Sequence, residues 1–159
     1  LYKPAFTLAV WMRGKCDTAD VPMYMIAQLA AGALAAIVTG VLVSGLSVDN
    51  PSPKTIAMVP ALIAELLGTF ALCYVVLQTA TTDSTAGNSY YGLAIGFTVL
   101  ACAYALGGVS GGAFNPAVAL GISIMELSSW ANIWIFLVAN FAAGALAALV
   151  FKMVYPGKD

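Results

Sequence analysis

Few side chains in this chain of 159 residues can do chemistry, and their types narrow what that chemistry is. Histidine is absent, which removes the commonest general base and metal ligand. No carboxylate or cysteine cluster has metal-ligand spacing to compensate. An enzyme's set of nucleophile, base and metal cannot be assembled, and neither a metal nor a cofactor is expected. Cys16, Cys73 and Cys102 are odd in number, and the last two lie inside apolar runs where thiols pack. What remains is Asn115 ahead of Pro116 and Ala117, Lys3 ahead of Pro4 and Ala5, and Glu65, the only ionisable residue in the apolar stretch PALIAELLGTF. Asparagine at a helix start accepts backbone N–H groups with its carboxamide oxygen. Its NH2 is then free to donate to a passing oxygen. Such groups hold and orient a solute; they do not transform it.

The two proline phrases are copies of one another. KPAFTLA at Lys3 and NPAVALG at Asn115 are offset by 112 residues, the separation of Pro4 and Pro116. The same offset sets AQLAAGALAAIV (Ala27 to Val38) on ANFAAGALAALV (Ala139 to Val150), identical at nine of twelve positions. One shift relating two landmarks identifies an internal repeat.

The elements that carry these residues must lie in lipid. Hydrophobic residues make up 62% of the chain and charged ones 8%, with a mean hydropathy of +0.94, whereas soluble domains carry about 25% charged residues. The net charge of −1 and the lack of basic clusters exclude nucleic acid as a partner. Four runs are long enough to span a bilayer, Val21 to Leu46, Ile56 to Ala80, Tyr90 to Leu106 and Trp130 to Val154. Polar, turn-forming loops separate them at Ser47 to Lys54 and Thr81 to Ser89. Pro4 to Met12 and Pro116 to Met125 are too short to span: at about 1.5 Å per residue they reach halfway. They read as re-entrant half-helices, with proline at the first position, where its missing N–H costs no hydrogen bond.

Arg13, Lys15, Lys152 and Lys158 flank the outer ends of the four spans, against Lys54 alone in the first loop. Basic residues are retained on the cytoplasmic side, so both ends are expected there. Three crossings between the half-helices then make them enter from opposite faces. Irregular backbone at membrane depth is tolerated only in protein or along a watery cavity, so two opposed half-helices imply a pore or binding site. The glycines of GGVSGGAFN, Gly107 to Asn115, expose carbonyls beside it. The positive ends of both half-helices raise a barrier to cations there and cost a neutral solute little.

With its duplicated proline half-helices and the stretch TVLACAYALGGVSGGAFNPAVALG before the last span, the chain resembles the aquaporin and aquaglyceroporin family. The resemblance covers essentially the whole chain, as the latter part of that fold. It implies an all-α membrane protein, an inverted-repeat helical bundle, here with four transmembrane helices and two half-helices and without the family's first two. The expected organisation is one transmembrane domain over residues 1–159, in which 1–46 end the first repeat and 56–154 form the second. Leu1 is not an initiator methionine, and a fragment or processed chain is expected. Passive permeation of water or small neutral solutes such as glycerol is implied, in a homo-tetramer or larger assembly embedded in the lipid bilayer as a multi-pass protein of a plasma or inner membrane.

The resemblance assigns Asn115, Pro116, Ala117, Lys3, Pro4 and Ala5 to the pore centre, with Lys3 in place of the family's first asparagine. Ala103, Gly112 and Val118 take three positions of the outer selectivity filter, where members usually have arginine at the place of Val118 and water-selective ones histidine at that of Ala103. Alanine and valine make a wider, more apolar constriction. Glu65 matches a glutamate that supports a re-entrant loop, with proton relay as the lesser reading. Gln28 and Asn140 are repeat equivalents, suited to hydrogen bonds between helices or near the half-helix ends. Small residues four apart, at Gly32, Ala36 and Gly40, at Gly92 and Gly96, and at Gly144 and Ala148, suggest close helix contacts. Tyr24, Tyr91, Trp11, Trp130 and Trp134 suggest interfacial anchoring. Two other readings stay open: a degenerate, non-conducting structural subunit, which Lys3 favours, and a secondary transporter, for which Glu65 is the lone intramembrane acid.

Overall fold

The computed structural model describes residues 3–44, 53 and 55–156. Among these it contains six α-helices, α1 (Pro4–Met12), α2 (Asp20–Val43), α3 (Met58–Ala80), α4 (Tyr91–Ser110), α5 (Pro116–Ile124) and α6 (Ile133–Val154). The four long helices are apolar and long enough to cross a membrane, and α1 and α5 have nine residues each. Lys54, Lys158 and the expected end of the first span at Leu46 lie outside the described residues.

Two boundaries differ from expectation for visible reasons. α4 runs through Gly107 and Gly108 to Ser110 rather than stopping at Leu106, and ends where Gly111 turns left-handed (φ 97°) and donates to the Gly107 carbonyl. The first residues of the last expected span, Trp130–Asn132, form a 3-10 turn instead, opened by Ser129, whose hydroxyl accepts the Ala131 N–H at 3.3 Å.

Because the long helices are apolar all round, hydrophobicity does not choose their inner faces; small and polar residues do. The buried stripe of α6 includes Ala139, Asn140, Ala143, Gly144, Ala147 and Ala148 between Ile135, Phe136 and Phe151, and that of α3 includes Ala61, Ala64, Glu65, Gly68 and Thr69. α3 packs between α4 and α6, while α6 also holds α1, and α2 holds α5. One apolar cluster joins Phe6 and Val10 of α1, Leu72 and Val76 of α3, and Ala147 and Phe151 of α6.

The repeat is written into this packing with the half-helices exchanged. α1 precedes α2 in sequence but lies against α6, and α5 precedes α6 but lies against α2 as well. The contacts are equivalent under the 112-residue shift. A methyl placed on Gly144 would stand 2.7 Å from the carbonyl oxygen of Ala5, and one on Gly32 would overlap the carbonyl oxygen of Ala117. The exits match too. Gly14 (φ 84°) follows α1 and Glu126 (φ 60°) follows α5, each in the left-handed conformation that closes a helix. Lys15 N–H then bonds the Val10 carbonyl at 3.0 Å, and Leu127 N–H the Ile122 carbonyl at 2.9 Å.

Of the small-residue pairs, Gly32 with Ala36 and Gly144 with Ala148 are used in this way. Gly40, Gly92 and Gly96 meet nothing within 4 Å of a Cβ position among the described residues, so the close contact expected of them is not made here.

Gly32→Ala and Gly144→Ala should each destabilise the fold by about 1–3 kcal/mol, since the obstacle is backbone that cannot step aside. Thermal unfolding in detergent micelles measures this. Two unchanged midpoints would contradict the exchanged packing.

Candidate functional site

The half-helices begin at buried prolines. Pro4 and Pro116 are both less than 2% exposed, and α1 and α5 touch one another inside the bundle. Non-helical backbone therefore sits at the centre of a lipid-embedded protein, and each of its polar groups needs a partner.

For α5 the structure provides several of these partners. Asn115 takes the N-cap in extended conformation, and its Oδ1 accepts the Ala117 N–H at 3.0 Å. Its side chain is almost fully buried. Upstream, the chain passes Gly111 (φ 97°), Gly112 (φ 69°) and Phe114 (φ 45°). A left-handed backbone suits glycine but costs a bulky residue about 1–2 kcal/mol. Phe114 is held there from both ends: its ring lies on the bare backbone of Gly68, where a methyl would overlap it, and its N–H is bonded to Glu65.

Glu65 is fully buried and serves as the acceptor for the whole loop. Oε1 accepts the Ser110 hydroxyl at 2.7 Å and the Ala113 N–H at 3.0 Å. Oε2 accepts the Phe114 N–H at 2.7 Å and Asn140 Nδ2 at 3.0 Å. Ser110 in turn accepts the Gly112 N–H at 3.1 Å. An ionised carboxylate has about four lone-pair sites, and four donors fill them.

The start of α1 is built differently. Lys3 has the extended backbone of an N-cap, but its side chain makes no capping bond. Its carbonyl accepts Phe6 and Thr7 N–H at 3.0 Å each, and its Nζ stands 5.3 Å from the centre of the Phe6 ring. Gln28 bridges α2 to this half-helix, with Nε2 donating to Thr7 Oγ1 at 2.8 Å. Gln28 and Asn140, equivalent in sequence, thus bond to different partners, Thr7 and Glu65.

Asn115 and Val118 share a cavity of about 470 Å³ between α2 and α5, with Gln28 at its polar side. Val118 is 41% exposed. Gly112 packs against Gly107, where a methyl would lie 3.2 Å from the Gly107 Cα. Ala103 lies one turn earlier on α4 and does not line the cavity of Asn115 and Val118. A second cavity, about 740 Å³, extends from Phe6 and Val10 to the connection between α3 and α4. That connection is a polar clasp: Thr81, Thr82 and Thr85 hydroxyls donate to the carbonyls of Leu77 and Gln78, and Asn88 Nδ2 to that of Thr79 at 2.7 Å.

Several residues of this site escape sequence reading. Ser110 and Thr7 are polar residues in glycine-rich or apolar surroundings, a signal present but weak. Arg13, read as a flanking charge, is instead buried with its guanidinium 4.8 Å from the centre of the Phe151 ring. The left-handed Phe114 leaves no trace in composition. All three cysteines are free thiols. Outside the helices, partial desolvation and the Asp20 and Asp17 carboxylates push the Cys16 thiol above its usual range.

Comparison with known proteins agrees with this fold. The profile of the family described as "Major intrinsic protein" matches residues 2–151. "Probable aquaporin TIP2-2" of Oryza sativa subsp. japonica is 34% identical over 157 residues, covering 96% of this chain and 61% of the relative. "Aquaporin AqpM" of Methanothermobacter thermautotrophicus is 30% identical over 161 residues, 94% of this chain and 65% of the relative. "Aquaporin NIP1-2" of Arabidopsis thaliana is 34% identical over 162 residues, 96% and 54% respectively. The chain therefore spans about three fifths of the length of these relatives.

Glu65→Gln should leave at least one donor of the loop facing the amide NH2, at a cost of about 1–3 kcal/mol for each donor stranded. A lower unfolding midpoint and faster hydrogen exchange at the Ala113 and Phe114 amides are expected. Native exchange rates there would show that the carboxylate does not hold the loop.

Proposed function

The chain belongs to the major intrinsic protein family, a family of membrane channels rather than enzymes, and from that membership we propose that its complete protein conducts small neutral solutes passively across a membrane. The observation that carries this reading is the meeting of α1 and α5 inside the bundle, both starting at buried prolines. Two helix N-termini in a low-dielectric interior repel cations, and a neutral solute passes without that penalty. Asn115 is the oriented donor on the path, because its oxygen is engaged in the cap while its NH2 is not needed there.

The solute class follows from the filter positions. Val118, which shares the cavity of Asn115, offers no side-chain donor, and neither do Ala103 and Gly112, which lie outside that cavity, so the path beside Asn115 is apolar and suited to glycerol-like molecules as well as water. Glu65 is a structural tie in this reading, since a carboxylate with four donors has no lone pair left to pass a proton. The chain then acts as one transmembrane unit, in which residues 1–46 end the first repeat and 56–154 form the second, with both ends in the cytoplasm, in a homo-tetramer or larger membrane assembly. Lys3 favours a second reading, in which an ammonium at the junction closes the path and the protein is a non-conducting subunit.

Stopped-flow measurements on proteoliposomes of the full-length protein separate the two. Wild type should conduct water and glycerol, and Asn115→Ala should lower both fluxes. Val118→Arg should cut the glycerol-to-water permeability ratio on the order of tenfold, the effect of about 1.4 kcal/mol of added barrier. An unchanged ratio in Val118→Arg would remove Val118 from the filter. Absence of any flux above protein-free vesicles would favour the non-conducting subunit.

A further inference from the structure

The shift that sets Asn115 on Lys3 also sets Val118 on Phe6, the third residue of each half-helix. Both line a cavity. Val118 borders the one of about 470 Å³ between α2 and α5, and Phe6 the one of about 740 Å³ that extends to the connection between α3 and α4. Equivalent positions thus face two separate openings, and the residues differ in size. Val118 is 41% exposed, whereas the larger Phe6 ring is 7% exposed.

The larger cavity deepens along three helices at once. On α1 its wall runs from Lys15 past Val10 to Phe6, on α3 from Thr79 to Val76, and on α4 from Tyr91 to Ile95. In each case the first residue lies at or beyond the helix end and the next, about one turn further in, is apolar. The rim is polar, with Asp83, Thr85 and Asn88 of the connection, and the floor is a collar of Val10, Val76 and Ile95 with Phe6 deepest. Phe6 belongs to the first turn of α1, beside the buried Pro4 and Ala5, so this floor lies at the inner start of the half-helix. The Lys3 ammonium stands over the ring, 5.3 Å from its centre, and Lys3 is not among the lining residues, so the ring separates it from the cavity. Phe6 also packs with Val10, Leu72 and Val76 in one apolar cluster. An interior at such density leaves a ring little room to turn aside.

We propose that Phe6 sets the size limit for solutes, as an apolar constriction on the α1 side of the junction that is narrower than the one at Val118 and favours water and glycerol over longer polyols. This rests on the channel reading above and adds the residue that discriminates within it. A solute leaving the polar rim passes the ring with no side-chain donor or acceptor in the collar. Each further hydroxymethyl group then adds bulk and one more hydroxyl that has lost its hydrogen bonds.

Stopped-flow measurements on proteoliposomes of the full-length protein, with glycerol and the longer polyol ribitol in parallel, test the assignment. The ratio of the two fluxes cancels the amount of folded protein, so a merely structural effect of a substitution leaves it unchanged. Wild type should pass ribitol about tenfold or more slower than glycerol. Phe6→Val, which copies the equivalent position of α5, should raise the ribitol-to-glycerol ratio on the order of tenfold, the low end of what one methylene is worth in an apolar site. Phe6→Leu should move the ratio in the same direction and guards against a failure of Phe6→Val to fold. Flux in either variant where wild type shows none would equally identify the ring as the barrier. A wild type that passes both polyols alike, or a ratio unchanged in both variants, overturns the proposal and leaves the channel reading standing. A ratio that moves in Lys3→Met but in neither Phe6 variant assigns the limit to the ammonium and overturns it too. No flux in any of these proteins removes the channel reading, and the proposal with it.

Discussion

Every feature of this bundle answers one constraint: helix ends placed in the middle of a membrane-embedded protein expose backbone N–H and C=O groups that lipid cannot satisfy. Long apolar helices meet this demand internally, because their ends reach water. α1 and α5 do not, and most of the specific chemistry of the chain is spent on them. Asn115 caps the Ala117 amide of α5, Glu65 gathers the loop that leads into it, and Gly32 and Gly144 let the half-helices lie flush on a neighbouring backbone.

Exchange of the half-helices between repeats explains why the fold does not come apart along its duplication. If α1 lay only on α2 and α5 only on α6, the two repeats would meet through lipid-like surfaces with no particular fit. Instead each half-helix is held by the span of the opposite repeat, through a glycine at a position fixed by the 112-residue shift. The left-handed exits at Gly14 and Glu126 keep the same shift, although only the first is a glycine. Backbone geometry has been retained where sequence has drifted. The cost of a left-handed glutamate is about 1–2 kcal/mol, small against losing the turn.

Much of this was legible in the residues. The spans, the two short helices starting at Pro4 and Pro116, and their pairing by a single offset all follow from the length of apolar runs and the position of proline. Lone polar residues in apolar stretches pointed to Glu65, Gln28 and Asn140. Their partners were not legible, because in lipid the inner face of a helix is marked by small residues, and Gly92 and Gly96 carry that mark as clearly as Gly32 does. Arg13 misled for a related reason: long cationic side chains can fold back on an aromatic ring as easily as reach for water. Phe114 was invisible, since its left-handed backbone is imposed from outside, by a carboxylate on α3 and a ring seat on Gly68.

The two repeats depart from one another most where they meet. Asn115 and Lys3 occupy equivalent caps, yet one is polar, neutral and bonded to its helix, and the other is a charged donor that its helix can only repel. Repulsion of that kind costs stability unless something offsets it, and a half-helix end held only by packing has little margin to absorb the loss. The Lys3 side chain folds back over the Phe6 ring of its own helix. The negative side chain that faces this ammonium is the Glu65 carboxylate on α3, so the group that gathers the loop ahead of α5 also offsets the charge at the start of α1, and the two unlike caps are tied through one buried acid.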